Sequence, residues 1–151
     1  MNTYVDSSAL VAIYLPEEFS GRARREVSAV RQVPFTPLHG LEVRNAFHLL
    51  RGRGQISAAD LRGVLGWLED DLAAHRLARV QVDWTRLFAN AEQLVEVYSA
   101  RLFCRSLDVL HVACALQLNC TRLVTADDRQ LALAAAVGIE TTDIKRPPHR
   151  R

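Results

Sequence analysis

Thr3-Tyr4-Val5-Asp6-Ser7-Ser8-Ala9-Leu10-Val11-Ala12-Ile13-Tyr14 is the stretch whose reading decides the fold. Thr3–Val5 is β-branched and aromatic, the composition of a short buried strand. Asp6 ends that strand. Ser7 or Ser8 can cap the helix that follows, because a hydroxyl accepts from its unpaired N–H groups. Leu10, Ile13 and Tyr14 give that helix an apolar stripe, and Pro16 stops it. A carboxylate therefore stands where a strand hands over to a helix. In open α/β sheets ligands gather outside the carboxyl ends of strands.

Outward from this unit, strand and helix signals alternate. Glu17–Val30 reads as a helix with Arg22, Arg24 and Arg25 on a solvated face. Gln32–Thr36 reads as a second strand, at an edge because of Pro34. Pro37 opens a helix to about Leu50, and Gly52-Arg53-Gly54 breaks it. Ser57 with Asp60 three residues later is a helix start signal, followed by Leu61, Val64, Leu65, Leu68 and Leu72 at helical spacing. Arg79–Val82 reads as a third strand, and Asp83 or Thr85 caps a helix through Tyr98. A polar link, Arg101–Arg105, leads to the nearly all-apolar helix Ser106–Leu116, expected at the centre. Arg122–Thr125 is a fourth strand, Asp127–Val137 a helix ended by Gly138, and Ile139–Thr142 a last strand. The expected fold is α/β, with a short, mostly parallel central sheet of four or five strands flanked by helices. One domain is expected over residues 1–143, then a basic, frayed tail over 144–151.

Composition narrows the function classes. A chain of 151 residues, 49% hydrophobic and 24% charged, can bury a core without staples. The net charge of +2 gives no bulk pointer to nucleic acid. Cys104, Cys114 and Cys120 lack C-x-x-C spacing, so neither a disulfide framework nor a zinc site is expected. No leader segment and no apolar run of about 20 residues is seen, so a cytoplasmic protein is expected. Neither G-x-x-x-x-G-K-[ST] nor G-x-G-x-x-G occurs, which disfavours nucleotide-binding enzymes.

Four acids then share one side of such a sheet. Asp6 and Asp127 follow strands, Asp108 lies in the first turn of the central helix, and Glu42 lies early in its own. Like charges about 4 Å apart repel by about 4 kcal/mol at an effective dielectric of about 20. Converging carboxylates therefore call for a hard divalent cation, Mg²⁺ or Mn²⁺. The natural chemistry is metal-assisted phosphodiester hydrolysis. Each acid also has a plainer structural reading: a turn aspartate for Asp6, a dipole partner for Asp108, an exposed glutamate for Glu42, a helix cap for Asp127 or Asp128. Ser7 and Thr125 flank the acids, and Asn45 follows Glu42 by about a turn. His111 shares a face with Asp108, as a packed histidine, a partner of the acids or a base. Arg44, Arg105 and Arg129 are candidate contacts for RNA phosphates or a partner carboxylate. Trp67, Trp84, Phe88 and Tyr98 read as core aromatics.

Tyr4-Val5-Asp6-Ser7-Ser8-Ala9-Leu10, Leu41-Glu42-Val43-Arg44-Asn45-Ala46, Leu107–Ala115 and Leu123-Val124-Thr125-Ala126-Asp127, in this order, resemble a PIN-domain ribonuclease. In size and layout the chain resembles the VapC-type toxins of bacterial toxin–antitoxin pairs, up to about Asp143. The resemblance implies a PIN-like three-layer sandwich and a Mg²⁺/Mn²⁺ site formed by Asp6, Glu42, Asp108 and Asp127. It implies endonucleolytic cleavage of RNA, a homodimer and inhibition by a small antitoxin. Grooves between the Ser57–Leu77 helix and its neighbours are the expected seat of an antitoxin helix. Two other readings stand beside it. An aspartyl-phosphate phosphatase needs a second acid two residues after its nucleophile, and here Ser8 fills that place. A catalytically silent PIN-fold module would bind RNA or protein without cutting.

Overall fold

The structure is a computed structural model and describes residues 2–146. Five short strands alternate with helices: β1 (Thr3–Val5), α1 (Ser7–Tyr14), α2 (Ser20–Ser28), β2 (Val33–Phe35), α3 (Pro37–Gly52), α4 (Ala58–Ala73), β3 (Leu77–Arg79), α5 (Trp84–Leu94). A wide π turn (Val95–Ser99) and a last short turn α6 (Ala100–Leu102) extend α5. Then come α7 (Ser106–Gln117), β4 (Arg122–Thr125), α8 (Asp128–Ala136) and β5 (Glu140–Asp143).

All strand pairs are parallel, but the ladder is divided. One sheet has the order β1-β4-β5, with Val5 opposite Val124 and Leu123 opposite Thr141. The second holds β2 and β3, with Pro34 opposite Ala78. The expected single sheet is therefore two hydrogen-bonded blocks. Val33 and Phe35 bond toward the β3 side. Alternation turns Pro34 the other way, and proline has no N–H to offer a neighbour there. The join is made by a side chain instead: the His39 ring nitrogen Nε2 lies 2.9 Å from the Val5 carbonyl.

The same alternation sorts the core. Val5 and Val124 face one way and pack with Leu10, Phe35, Phe47 and Leu68 from α1, β2, α3 and α4. Tyr4 and Leu123 face the other way and pack with Leu87, Val112 and Leu133 from α5, α7 and α8. Helices thus cover both faces, as a mostly parallel sheet requires. The α7 segment Asp108–Ala115 is buried throughout, which explains its all-apolar reading.

Several boundaries differ from expectation. Asp6, not Ser7 or Ser8, is the N-cap of α1; its carboxylate accepts from the Ala9 N–H at 3.0 Å. α2 begins at Ser20 rather than Glu17 because the Ser20 hydroxyl ties up the Glu17 N–H. β3 lies two residues before the expected Arg79–Val82. The Arg101–Arg105 link is partly helical and ends at Phe103, whose φ of 55° is left-handed. Of the α5 and α4 aromatics, Phe88 and Trp67 are exposed, because the inward faces are filled by Leu87 and Ala91 on α5 and by Val64, Leu68 and Leu72 on α4. At the chain end Ile144 is buried, Lys145 pairs with Asp128 and Arg146 with Asp143, so these residues are tied down rather than frayed. The rest of the expected tail, 147–151, lies outside the described residues.

Candidate active site

Asp6 leaves β1 with its N–H still on the Val124 carbonyl at 3.0 Å, which fixes it at the strand rim. Both carboxylate oxygens accept from the Ser8 hydroxyl at 2.9 Å, in addition to the Ala9 bond. The group is buried. That burial raises its pKa, while His111, the Ala9 N–H and the hydroxyls of Ser8 and Thr125 pull the other way.

Glu42 is held from two sides. The Ser7 hydroxyl donates to Oε2 at 2.8 Å, and His111 Nε2 lies 2.5 Å from the same oxygen. A carboxylate can only accept, so His111 carries its proton on Nε2 and Nδ1 accepts. The donor to Nδ1 is the Tyr4 hydroxyl at 2.9 Å. Burial raises the pKa of Tyr4 well above its usual value, which keeps it a donor. Burial also pushes the Glu42 pKa upward, but the hydrogen bonds from His111 and the Ser7 hydroxyl outweigh it and leave Glu42 lowered. Glu42 is thus kept ionised at the end of a Tyr4–His111 chain.

Asp108 and Asp127 are joined by an arginine. Asp108 Oδ2 accepts from the Arg105 backbone N–H at 3.0 Å and from its Nε at 3.3 Å. Arg105 Nη2 donates to Asp127 Oδ2 at 3.2 Å. The other Asp127 oxygen caps α8, accepting from the N–H groups of Arg129 and Gln130. The buried Thr125 hydroxyl accepts the Asp127 N–H at 3.0 Å and is also a partner of Asp6.

The acids fall into two linked groups. Asp6 is tied through Thr125 to Asp127 and through Arg105 to Asp108, while Glu42 is held by Ser7, which follows Asp6, and by His111, one turn after Asp108 on α7. Of the supporting candidates, Ser7, Thr125 and His111 take part. Asn45 is exposed and makes no described hydrogen bond to Glu42. Arg44 is engaged by Glu69 and the Gly40 carbonyl, away from both groups. The sequence reading missed Ser8 as a partner of Asp6, and it missed His39. Thr36 followed three residues later by His39 was the available signal, for the two form the capping box of α3.

In donor type the site suits a hard divalent ion, since four carboxylates supply oxygen and no cysteine is among them. In arrangement both oxygens of Asp6 and of Asp127, and one each of Glu42 and Asp108, already accept hydrogen bonds. Among the described residues no three His, Cys, Asp or Glu side chains are grouped so as to hold one ion. The positive charge beside Asp108 and Asp127 is the Arg105 guanidinium.

The PIN-domain family description matches residues 3–136. This chain belongs to the PIN-domain family. No curated protein matches its sequence. Among solved structures it resembles that titled FitAcB from Neisseria gonorrhoeae, with TM-score 0.67 and 13% identity over 96% of this chain and 99% of that one. It also resembles the structure titled FitAB bound to an IR36 DNA fragment, with TM-score 0.68 and 13% identity over 99% of each. At that identity the likeness is one of fold, and it covers the whole length of the PIN architecture described above.

Proposed function

We propose that this PIN domain is a metal-dependent endoribonuclease and the toxin of a toxin–antitoxin pair. The observation that supports the reading is that Asp6, Asp127 and Asp108 are linked through Thr125 and Arg105, while Glu42 is held by Ser7 and His111, neighbours of Asp6 and Asp108 on α1 and α7. Those four would hold Mg²⁺ or Mn²⁺, which when bound supplies a water of lowered pKa and positive charge for the phosphodiester. The chain's own residues prepare the site. His111 and Ser7 keep Glu42 ionised and aimed, and Ser8 with the α1 N-terminus fixes Asp6. Asp127 keeps one oxygen on the α8 N–H groups and leaves the other for exchange.

An antitoxin partner fits two features. A groove of about 400 Å³ beside α4 combines Ile13, Tyr14 and Trp67 with the charged Arg24, Asp70, Asp71 and Arg76. The similar FitAB structure is, by its title, bound to DNA. A homodimer belongs to the same proposal, with exposed Leu41, Val97 and Phe103 as apolar surface for it. No helix among the described residues is long and apolar enough to cross a membrane.

The test is to incubate the purified chain and Asp6→Asn with total RNA in Mg²⁺, Mn²⁺ or EDTA and sequence the new ends. Discrete ends that need both the metal and Asp6 support the nuclease. Cleavage by Asp6→Asn at the wild-type rate refutes the site. RNA binding with no cleavage under any divalent ion favours the silent binding module, the reading to which the Arg105 bridge lends weight.

A further inference from the structure

The guanidinium of Arg105 stands between two of the four acids proposed above to hold a metal. It touches one oxygen of Asp108 and one of Asp127, the two acids that no other side chain neutralises. The backbone half of the contact, Arg105 N–H to Asp108, belongs to the start of α7 and stays whatever the side chain does. The side-chain half is different in kind. The Arg105 side chain is 66% exposed, and it holds the acids at 3.2 and 3.3 Å, the long end of the range for charge-assisted bonds. The acids themselves are covered, with Asp108 buried and Asp127 partly so, but the guanidinium lies on the solvent side and can leave into water. A divalent ion on Asp108 and Asp127 competes for the same oxygens and repels the guanidinium. Displaced, Arg105 remains tethered at the rim with its fork free, and a planar fork of donors suits a phosphate.

We propose that Arg105 is a two-position residue. It is the resident counter-cation of Asp108 and Asp127 before a divalent ion binds, and a contact for the RNA phosphate afterwards. The inference rests on the nuclease reading and deepens it: loading the site and engaging substrate become one exchange of partners.

The test uses the full chain, Arg105→Gln, and Arg129→Gln as a control for the loss of a nearby positive charge. Arg129 reaches Asp127 only through its backbone N–H, so its side chain holds neither acid. Mn²⁺ binding is measured by calorimetry without RNA. Arg105→Gln should tighten it at least about fivefold, the upper range for an exposed ion pair, because the acids it releases are covered, and Arg129→Gln should change it clearly less. Binding of a short random-sequence RNA is then followed by fluorescence anisotropy. Arg105→Gln should weaken it several-fold in Ca²⁺ and leave it unchanged in EDTA, where the guanidinium is engaged by the acids. Equal tightening by both variants, or none, overturns the counter-cation position. RNA affinity that is insensitive to Arg105 in Ca²⁺ overturns the phosphate position. If wild type binds Mn²⁺ and cuts RNA while Arg105→Gln changes neither, this inference fails and the nuclease stands. If wild type binds no Mn²⁺ and cuts nothing, both fall.

Discussion

Phe103 and His39 carry the most unusual local environments in the molecule. Phe103 is a bulky residue in left-handed backbone with its ring 77% exposed, so it bears strain with little burial in return. Such positions cost about 1 kcal/mol or more. Phe103→Gly should therefore raise the melting temperature by about 2–4 °C in a chain of this size; a fall, read by thermal denaturation, would show that the ring packs more than its exposure indicates. His39 is buried between Tyr4 and Phe35, and desolvation, reinforced by the nearby His111, lowers its pKa to about 3. In the unfolded chain it titrates near 6.5. As pH falls from about 6.5 to about 3, the unfolded state takes up a proton that the folded state refuses, so stability falls with falling pH. The loss is of the order of several kcal/mol at about 1.4 kcal/mol per unit. Denaturant unfolding of His39→Gln in EDTA should show a shallower decline across that window than wild type; an equal slope would disprove the assignment. Neither environment could be read from the sequence. Positive φ at a phenylalanine breaks local preference, and His39 acquires its setting only when β1 and β2 come together.

At the scale of elements, legibility followed the range of the interaction. The start of α4 was readable because Ser57 and Asp60 make a reciprocal cap within four residues. Ser57→Ala should cost about 1 kcal/mol, and the midpoint of thermal unfolding should drop accordingly; no change would mean that α4 is held by Val64, Leu68 and Leu72 alone. The central placement of α7 was equally plain from its nearly all-apolar run, Val109–Leu116 broken only by His111. The π turn at Val95–Ser99 left no mark, since its residues are ordinary helix formers. The acids divide in the same way. Their positions after strands or near helix starts could be read from alternation. The cap that Asp127 makes on α8 is local and was among its sequence readings, whereas the Arg105 link between two acids depends on side chains meeting across elements. Capping leaves room for the proposed role of Asp127: one oxygen serves α8, the other faces Arg105.

For the whole molecule, ion binding and folding are linked. A ligand that binds only the folded chain at about 100 times its dissociation constant adds about 2.7 kcal/mol. Saturating Mn²⁺ should then raise the wild-type melting temperature by roughly 5–10 °C at about 2–4 °C per kcal/mol. Asp6→Asn should respond far less. A wild type indifferent to Mn²⁺, measured by differential scanning calorimetry, would count against a divalent site of any kind. The three-layer plan itself was legible because parallel strands buried on both faces demand helices on both sides. The division of the sheet was not, since Pro34 pointed to an edge without saying which neighbour it would face.

That division has a consequence for the site. Because β1 and β2 share no ladder, the register of the β2-β3 pair against the larger block rests on the His39–Val5 hydrogen bond and on the core that Val5 and Val124 share with Phe35 and Phe47. Glu42 rides on α3, which springs from β2, whereas Asp6, Asp108 and Asp127 belong to the larger block. The place of one acid relative to the other three is therefore set by side-chain packing rather than by strand pairing.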